Sequence, residues 1–149
     1  MELRLATPSD VTALARLRWD WAGESRPPAE SFELFSTRFA EHVCDVGLEA
    51  FLALDDDGSP VGMACLLRVP RPPDPDGQVR LGGDLQSVYV RPSLRGQGIG
   101  SLLVRAVLER AWELGMRKVT VQSGTRALPV YERLGFEVST YLRQALAPS

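Results

Sequence analysis

With 149 residues, 44% of them hydrophobic and 24% charged, the chain has the size and make-up of one globular domain, residues 1–149, and is too short for two ordinary ones. A formal net charge of −2 argues against a general binder of nucleic acid or of anionic membrane, and no apolar run approaches the roughly 20 residues that a bilayer span needs. Two cysteines, Cys44 and Cys65, make no disulfide framework, and the start Met1-Glu2-Leu3-Arg4-Leu5 reads as a strand and not as a signal peptide, so a cytoplasmic protein is expected.

Residues 2–6 alternate polar and apolar side chains and predict a short strand. Thr7-Pro8-Ser9-Asp10 has the marks of a helix start, with Thr7 as cap, Pro8 in the first helical position and Asp10 near the positive end of the dipole. Val11, Leu14, Leu17 and Trp21 follow at helical spacing until the breaking stretch 23–28. Trp21 shares the stripe of Leu14 and Leu17 and is expected to face the core, while Glu24 is a candidate contact for a cationic acceptor. A second helix carries Phe32, Phe35, Phe39 and Val43. On it His42 and Cys44 stand two residues apart, too far round to act together, and read as a surface residue and a small core residue.

Two apolar runs, 50–54 and 61–69, flank Asp55-Asp56-Asp57-Gly58-Ser59-Pro60 and predict a hairpin. The acidic run lacks the ligand spacing of a calcium loop, and no zinc-like spacing occurs, so no metal is expected. The proline-rich stretch 70–77 is an exposed loop. Residues 85–90 alternate into a fourth strand, a glycine-rich turn follows, and Ile99, Leu102, Leu103, Ala106, Val107, Ala111 and Leu114 mark a long amphipathic helix ended by Gly115. A fifth strand is predicted over 118–122, a short helix over 127–134 and a last strand over 136–142. The order is β-α-α-β-β-β-α-β-α-β, a mixed sheet flanked by helices in a single α/β domain.

The turn Arg95-Gly96-Gln97-Gly98-Ile99-Gly100 carries the most chemistry. Between a strand end and a helix start, successive N–H groups can converge on phosphate oxygens, glycines allow the close approach and positive φ, and Arg95 adds a planar cationic fork. A diphosphate ligand fits. A P-loop would need a lysine followed by Ser or Thr after the last glycine, yet Ser101 and Leu102 follow Gly100. A dinucleotide fingerprint would need its third glycine where Ser101 stands and an acidic residue near Val121-Gln122-Ser123. A glycine-rich connection with no ligand is the remaining alternative.

Arg95, Gly98 and Gly100 resemble the pattern Gln/Arg-x-x-Gly-x-Gly/Ala of the GNAT superfamily of N-acetyltransferases. Tyr131-Glu132-Arg133-Leu134-Gly135-Phe136 is similar to that superfamily's second signature, Tyr-x-x-x-Gly-Phe, and the predicted element order is also similar. The resemblance implies a GNAT-like fold and acetyl-CoA as co-substrate. The main chain of Val88, Tyr89 and Val90 would hold the pantetheine arm, and Arg95, Gly96, Gln97, Gly98, Ile99, Gly100 and Ser101 would cradle the pyrophosphate. It also implies transfer of an acetyl group to a primary amine of a small molecule or peptide, with Tyr131 as general acid toward the departing sulfur. Packed against Val130 and Leu134, Tyr131 also reads as an ordinary half-buried aromatic.

Many relatives carry a glutamate base where this chain has Gln86, and glutamine takes no proton. Asp84, on the same strand face, could act through a water, or it is a solvated residue at a strand start. The asparagine common after the fifth strand falls near Gly124. The missing glutamate keeps open a second reading, a non-catalytic sensor of CoA or acyl-CoA. Pairing of two copies through the last strand or an exposed sheet edge is a further expectation.

Overall fold

The computed structural model describes residues 1–78 and 80–149. The Asp55 carboxylate accepts hydrogen bonds from the Asp57 and Ser59 N–H groups (3.0 and 2.8 Å) and so closes the acidic turn as a hairpin. The hairpin joins β2 (Glu49–Leu54) to β3 (Pro60–Pro70), and β1 (Glu2–Leu5), β4 (Leu81–Val90) and β5 (Val119–Val121) complete a sheet of order β1-β2-β3-β4-β5. The first three pairings are antiparallel and β4–β5 is parallel.

Helix α1 (Val11–Gly23) packs one face of this sheet and α3 (Ile99–Glu113) the other, with α2 (Phe32–Val46) against α1 and the short α4 (Leu128–Arg133) beside α3. Strand alternation divides the core accordingly. Leu52, Met63, Cys65 and Tyr89 meet Leu14 and Leu17 of α1, while Ala53, Ala64, Leu66 and Leu85 meet Leu103, Val104 and Val107 of α3. Residues 61–66 are covered on both faces, which accounts for their unbroken apolar run. Burial pushes the Cys65 thiol up to about 12, as for an inert core cysteine.

A 3-10 turn over Pro8–Asp10 leads into α1, and Thr7, expected as the cap, makes no side-chain cap bond; its hydroxyl donates to Asp10 instead (3.0 Å). Asp10 accepts from the Thr7 N–H (2.7 Å) and from both terminal nitrogens of Arg4 (2.8 and 3.0 Å), and these partners hold its carboxyl well below the usual range. Trp21 stacks on Tyr89, so its core-facing placement agrees with the stripe.

Three expectations are corrected. Residues 136–149 contain no strand: Phe136 packs edge-on against Tyr131, after which Val138, Tyr141 and Leu146 are more than four-fifths exposed. Apolar alternation favours a strand only where a ladder partner meets it, and here none does among the described residues. Cys44 is exposed, because the contact stripe of α2 runs through Phe35 and Phe39 and the next residue after Val43 turns away from it. Strand β4 begins at Leu81 and not at 85, since the two glycines Gly82 and Gly83 pair with Val69 and Arg68. A side chain at Gly83 would lie 2.8–2.9 Å from Met116 and Leu66, so glycine there reflects close packing and not a turn.

Candidate active site

Strand β4 carries one extra residue relative to β3. Opposite Met63 and Cys65 of β3 stand Tyr89 and Gln86 of β4, three apart against two, so β4 bulges. Ser87 absorbs the bulge at φ +53°, alone among the described non-glycine residues in having positive φ. On the other side β5 pairs only with Gly83, Asp84 and Leu85. All three residues of β5 are used in this pairing, and the β5-side edge of residues 86–90 has no strand partner among the described residues.

Alternation decides which groups face this edge. The Arg91 N–H donates to Val61 O (2.9 Å), and a Cβ at Gly62 would lie 3.0 Å from Tyr89 O, so Tyr89 turns its main chain toward β3. Val88 and Val90 therefore present theirs to the open edge. Of the three residues expected to offer main-chain groups there, Tyr89 directs its own to β3.

After β4 the chain turns through Pro92–Leu94 into the glycine run. Gly96 and Gly98 have φ of +78° and +84°, a region that a side chain resists, and the buried Ile99 anchors the start of α3. Among the described residues, no acceptor is bonded to the N–H groups of Gly96, Gln97, Gly98, Ile99, Gly100 or Ser101; the first to find a main-chain partner is Leu102, on Gly98 O at 3.1 Å. Six N–H groups without a bonded acceptor among the described residues thus surround a helix N-terminus, where an anion is electrostatically favoured.

The Arg95 guanidinium does not stand free above this nest. Its Nε donates to Val90 O (2.9 Å), and Nη2 donates to both oxygens of Glu24 at the end of α1 (2.8 and 2.9 Å). Glu24 also accepts from the Tyr89 hydroxyl at 2.9 Å. Burial first, then this bond to a carboxylate, pushes the Tyr89 phenol up to about 12. Glu24, read from the sequence as a contact for a cationic acceptor, is thus engaged with Arg95 and Tyr89. Arg91 adds a second tie to α1 through Asp20 (2.8 Å).

Beside the end of β5, Asp84 and Gln86 share a face, as alternation predicts. Gln86 Nε2 donates to Asp84 Oδ2 (2.8 Å) and Thr120 Oγ1 donates to Asp84 Oδ1 (3.1 Å), so the half-buried carboxylate is oriented by both neighbours. Tyr131 lies on the α3 side, 7% exposed and in the same buried cluster as Leu85. Burial raises its phenol above the ordinary value. Ser123 Oγ donates to Gly124 O, so the position expected to carry asparagine is closed on its own backbone.

Sequence reasoning missed the Ser87 bulge and the Glu24–Arg95 link. No local signal marks either: serine has no preference for that conformation, and the paired charges are 71 residues apart in the chain.

A family model described as the acetyltransferase (GNAT) family matches residues 11–136. A glucosamine 6-phosphate N-acetyltransferase of Trypanosoma brucei brucei is 29% identical over 91% of this chain and 88% of its own. An aminoglycoside N(6')-acetyltransferase type 1 of Stenotrophomonas maltophilia is 29% identical over 99% and 95%. A protein of Clostridium acetobutylicum described as a predicted acetyltransferase and solved with acetyl-CoA shares the fold at a TM-score of 0.79, with 18% identity, covering 97% of this chain and 95% of that one.

Proposed function

Because this chain belongs to the acetyltransferase (GNAT) family and is therefore an acyltransferase, we propose that it moves an acetyl group from acetyl-CoA directly to a primary amine of a small molecule or peptide. The observation that carries this reading is the run of N–H groups at Gly96–Ser101 without a bonded acceptor among the described residues, set at the end of a strand whose edge beyond β5 has no strand partner among them. A diphosphate fits those donors, and the main chain of Val88 and Val90 fits an extended amide-bearing arm. When bound, acetyl-CoA supplies the activated thioester carbonyl.

The chain's own residues then have three tasks. The first is orientation, by the nest and the strand edge. The second is removal of a proton from the amine, for which Asp84 is the base through a water, its two oxygens oriented by Gln86 and Thr120. The third is delivery of a proton to the departing sulfur by the Tyr131 hydroxyl, which burial keeps protonated at neutral pH. The names of the relatives, one acting on glucosamine 6-phosphate and one on aminoglycosides, support amino-sugar-like acceptors as the first panel to try.

The test has two parts. Calorimetric titration is expected to show binding of acetyl-CoA and CoA and not of ATP. Thiol release from acetyl-CoA is expected only when a suitable amine is present. CoA binding without amine-dependent release across amino sugars, alkylamines and peptides would replace transfer by acyl-CoA sensing.

A further inference from the structure

A concave surface lies at the opposite end of β4 from the glycine nest. It is an open cleft of about 410 Å³ whose floor includes Gly82 and Gly83 and whose rim carries Arg71, Arg80, Arg117 and Lys118. Gly82 leaves bare backbone there: a Cβ would stand 3.7 Å from both Lys118 O and Val69 O. The cationic rim is only partly neutralised. Arg80 pairs with Asp74 at 3.3 Å, and Arg117 donates to the neutral Gln78 amide at 3.0 Å. Asp76, the acidic residue lining the cleft, accepts the Gln78 N–H at 2.9 Å within its own turn. Among the described residues no carboxylate lies within 4.0 Å of Arg71, Arg117 or Lys118.

From these observations, and resting on the acetyl-transfer reading, we propose that the acceptor amine carries an anionic group, a phosphate or carboxylate, which this cleft receives. Thr120 joins the two places. It lines the cleft, and its hydroxyl is hydrogen-bonded to Asp84, the candidate base. Asp84 lies two strand residues from Gly82, about 6.7 Å along β4. An amine presented to Asp84 therefore places a group some four or five bonds distant among the four cations. The donor's phosphates cannot serve instead: the step from Gly82 to Val90 spans about 27 Å of strand, with the nest beyond it. Arginine forks and a lysine ammonium on exposed stems suit a solvated oxyanion, and salt will weaken the attraction.

Three matched acceptors test the idea: butylamine, ω-aminobutyl phosphate and ω-aminopentanoate. The anionic pair are expected to exceed butylamine about tenfold in kcat/KM, mainly through KM, and to lose that preference as sodium chloride is raised. The double variant Arg71→Gln, Lys118→Gln is expected to remove most of the preference and leave the KM for acetyl-CoA unchanged. A charge control on the exposed face of α3, Arg105→Gln, is expected to keep it. Phosphate outperforming carboxylate identifies a phosphomonoester site, and the reverse a carboxylate site. Equal kcat/KM for all three amines, or equal losses in the double variant with butylamine, overturns the proposal. If none of the amines is acetylated, calorimetry with ω-aminobutyl phosphate decides separately. Binding that the double variant loses keeps the anion site and removes acetyl transfer, and absence of binding to the unaltered protein removes the site.

Discussion

Replacing Gly98 by alanine separates the conformation of the glycine nest from the stability of the domain. Gly98 sits at φ +84°, and a methyl group added there would have no neighbour within 4 Å, so the substitution meets no clash and its effect is conformational alone. Holding an alanine in the left-handed region costs about 1–2 kcal/mol, and the stiffer unfolded chain returns about 0.4–1 kcal/mol. The net loss is about 1 kcal/mol, or about 2–4 °C in Tm for a domain of this size. Relaxing to negative φ instead would swing the N–H groups of residues 98 and 99 out of the nest. Each charge-assisted bond lost to a phosphate is worth about 1.5–3 kcal/mol, so the Kd for CoA should rise by roughly tenfold to a hundredfold. Gly100→Ala is the internal control. It lies inside α3, where a Cβ sits 3.9 Å from Val90 in ordinary contact, and alanine should raise Tm by about 2–4 °C with little change in CoA affinity. Calorimetry with CoA and thermal unfolding of both variants read the two effects independently. A Gly98→Ala protein that keeps the Tm of the unaltered chain, its strain relieved by relaxation to negative φ, yet binds CoA as tightly would refute the nest as the diphosphate site.

Tyr131→Phe is expected to lower kcat about a hundredfold with acetyl-CoA affinity nearly unchanged, because only the hydroxyl is removed from a packed ring. Since burial raises the Tyr131 phenol, the fall in rate from its ionisation should come above about pH 10, and a loss of activity tracking a group near neutrality would assign the acid elsewhere. Asp84→Asn should reduce kcat/KM most at low pH, the deficit shrinking as the pH nears that of the free amine's own deprotonation; a pH-independent deficit argues for positioning instead. Asp10→Asn should lower Tm by about 4–8 °C at neutral pH through loss of its bonds to Arg4 and Thr7, about 2 kcal/mol. Arg4 and Thr7 depress the Asp10 carboxyl in the folded state, so its contribution is complete above the unfolded value near 3.9 and disappears as pH falls through the lower folded one. The gap between the two proteins should close on acidification, and a constant gap would place the effect in packing.

Local chemistry was legible in the chain itself. Asp55 to Pro60 announced a hairpin, Phe32, Phe35 and Phe39 a helix stripe, and Arg95 to Gly100 a glycine turn with positive φ ahead of a helix, because propensity, periodicity and φ preference act over a few neighbours. The same reach explains the pairing of Asp84 with Gln86 on one face. What lay beyond it was decided by tertiary pairing. Residues 136–142 alternate like a strand and form none, since a ladder requires a partner that no local pattern supplies. Whether β4 would bulge at Ser87 depended on its register against Met63 and Cys65, and the bulge in turn gave Val88 and Val90 to the open edge and kept Tyr89 for β3. Arg95 reads from the sequence as a free cation over phosphate, yet its fork is tied to Glu24, 71 residues away. Hydrogen bonds and ion pairs fall off within a few ångströms, so which charges meet depends on how distant segments are folded together, and only the three-dimensional structure brings Glu24, Tyr89 and Arg95 within that range.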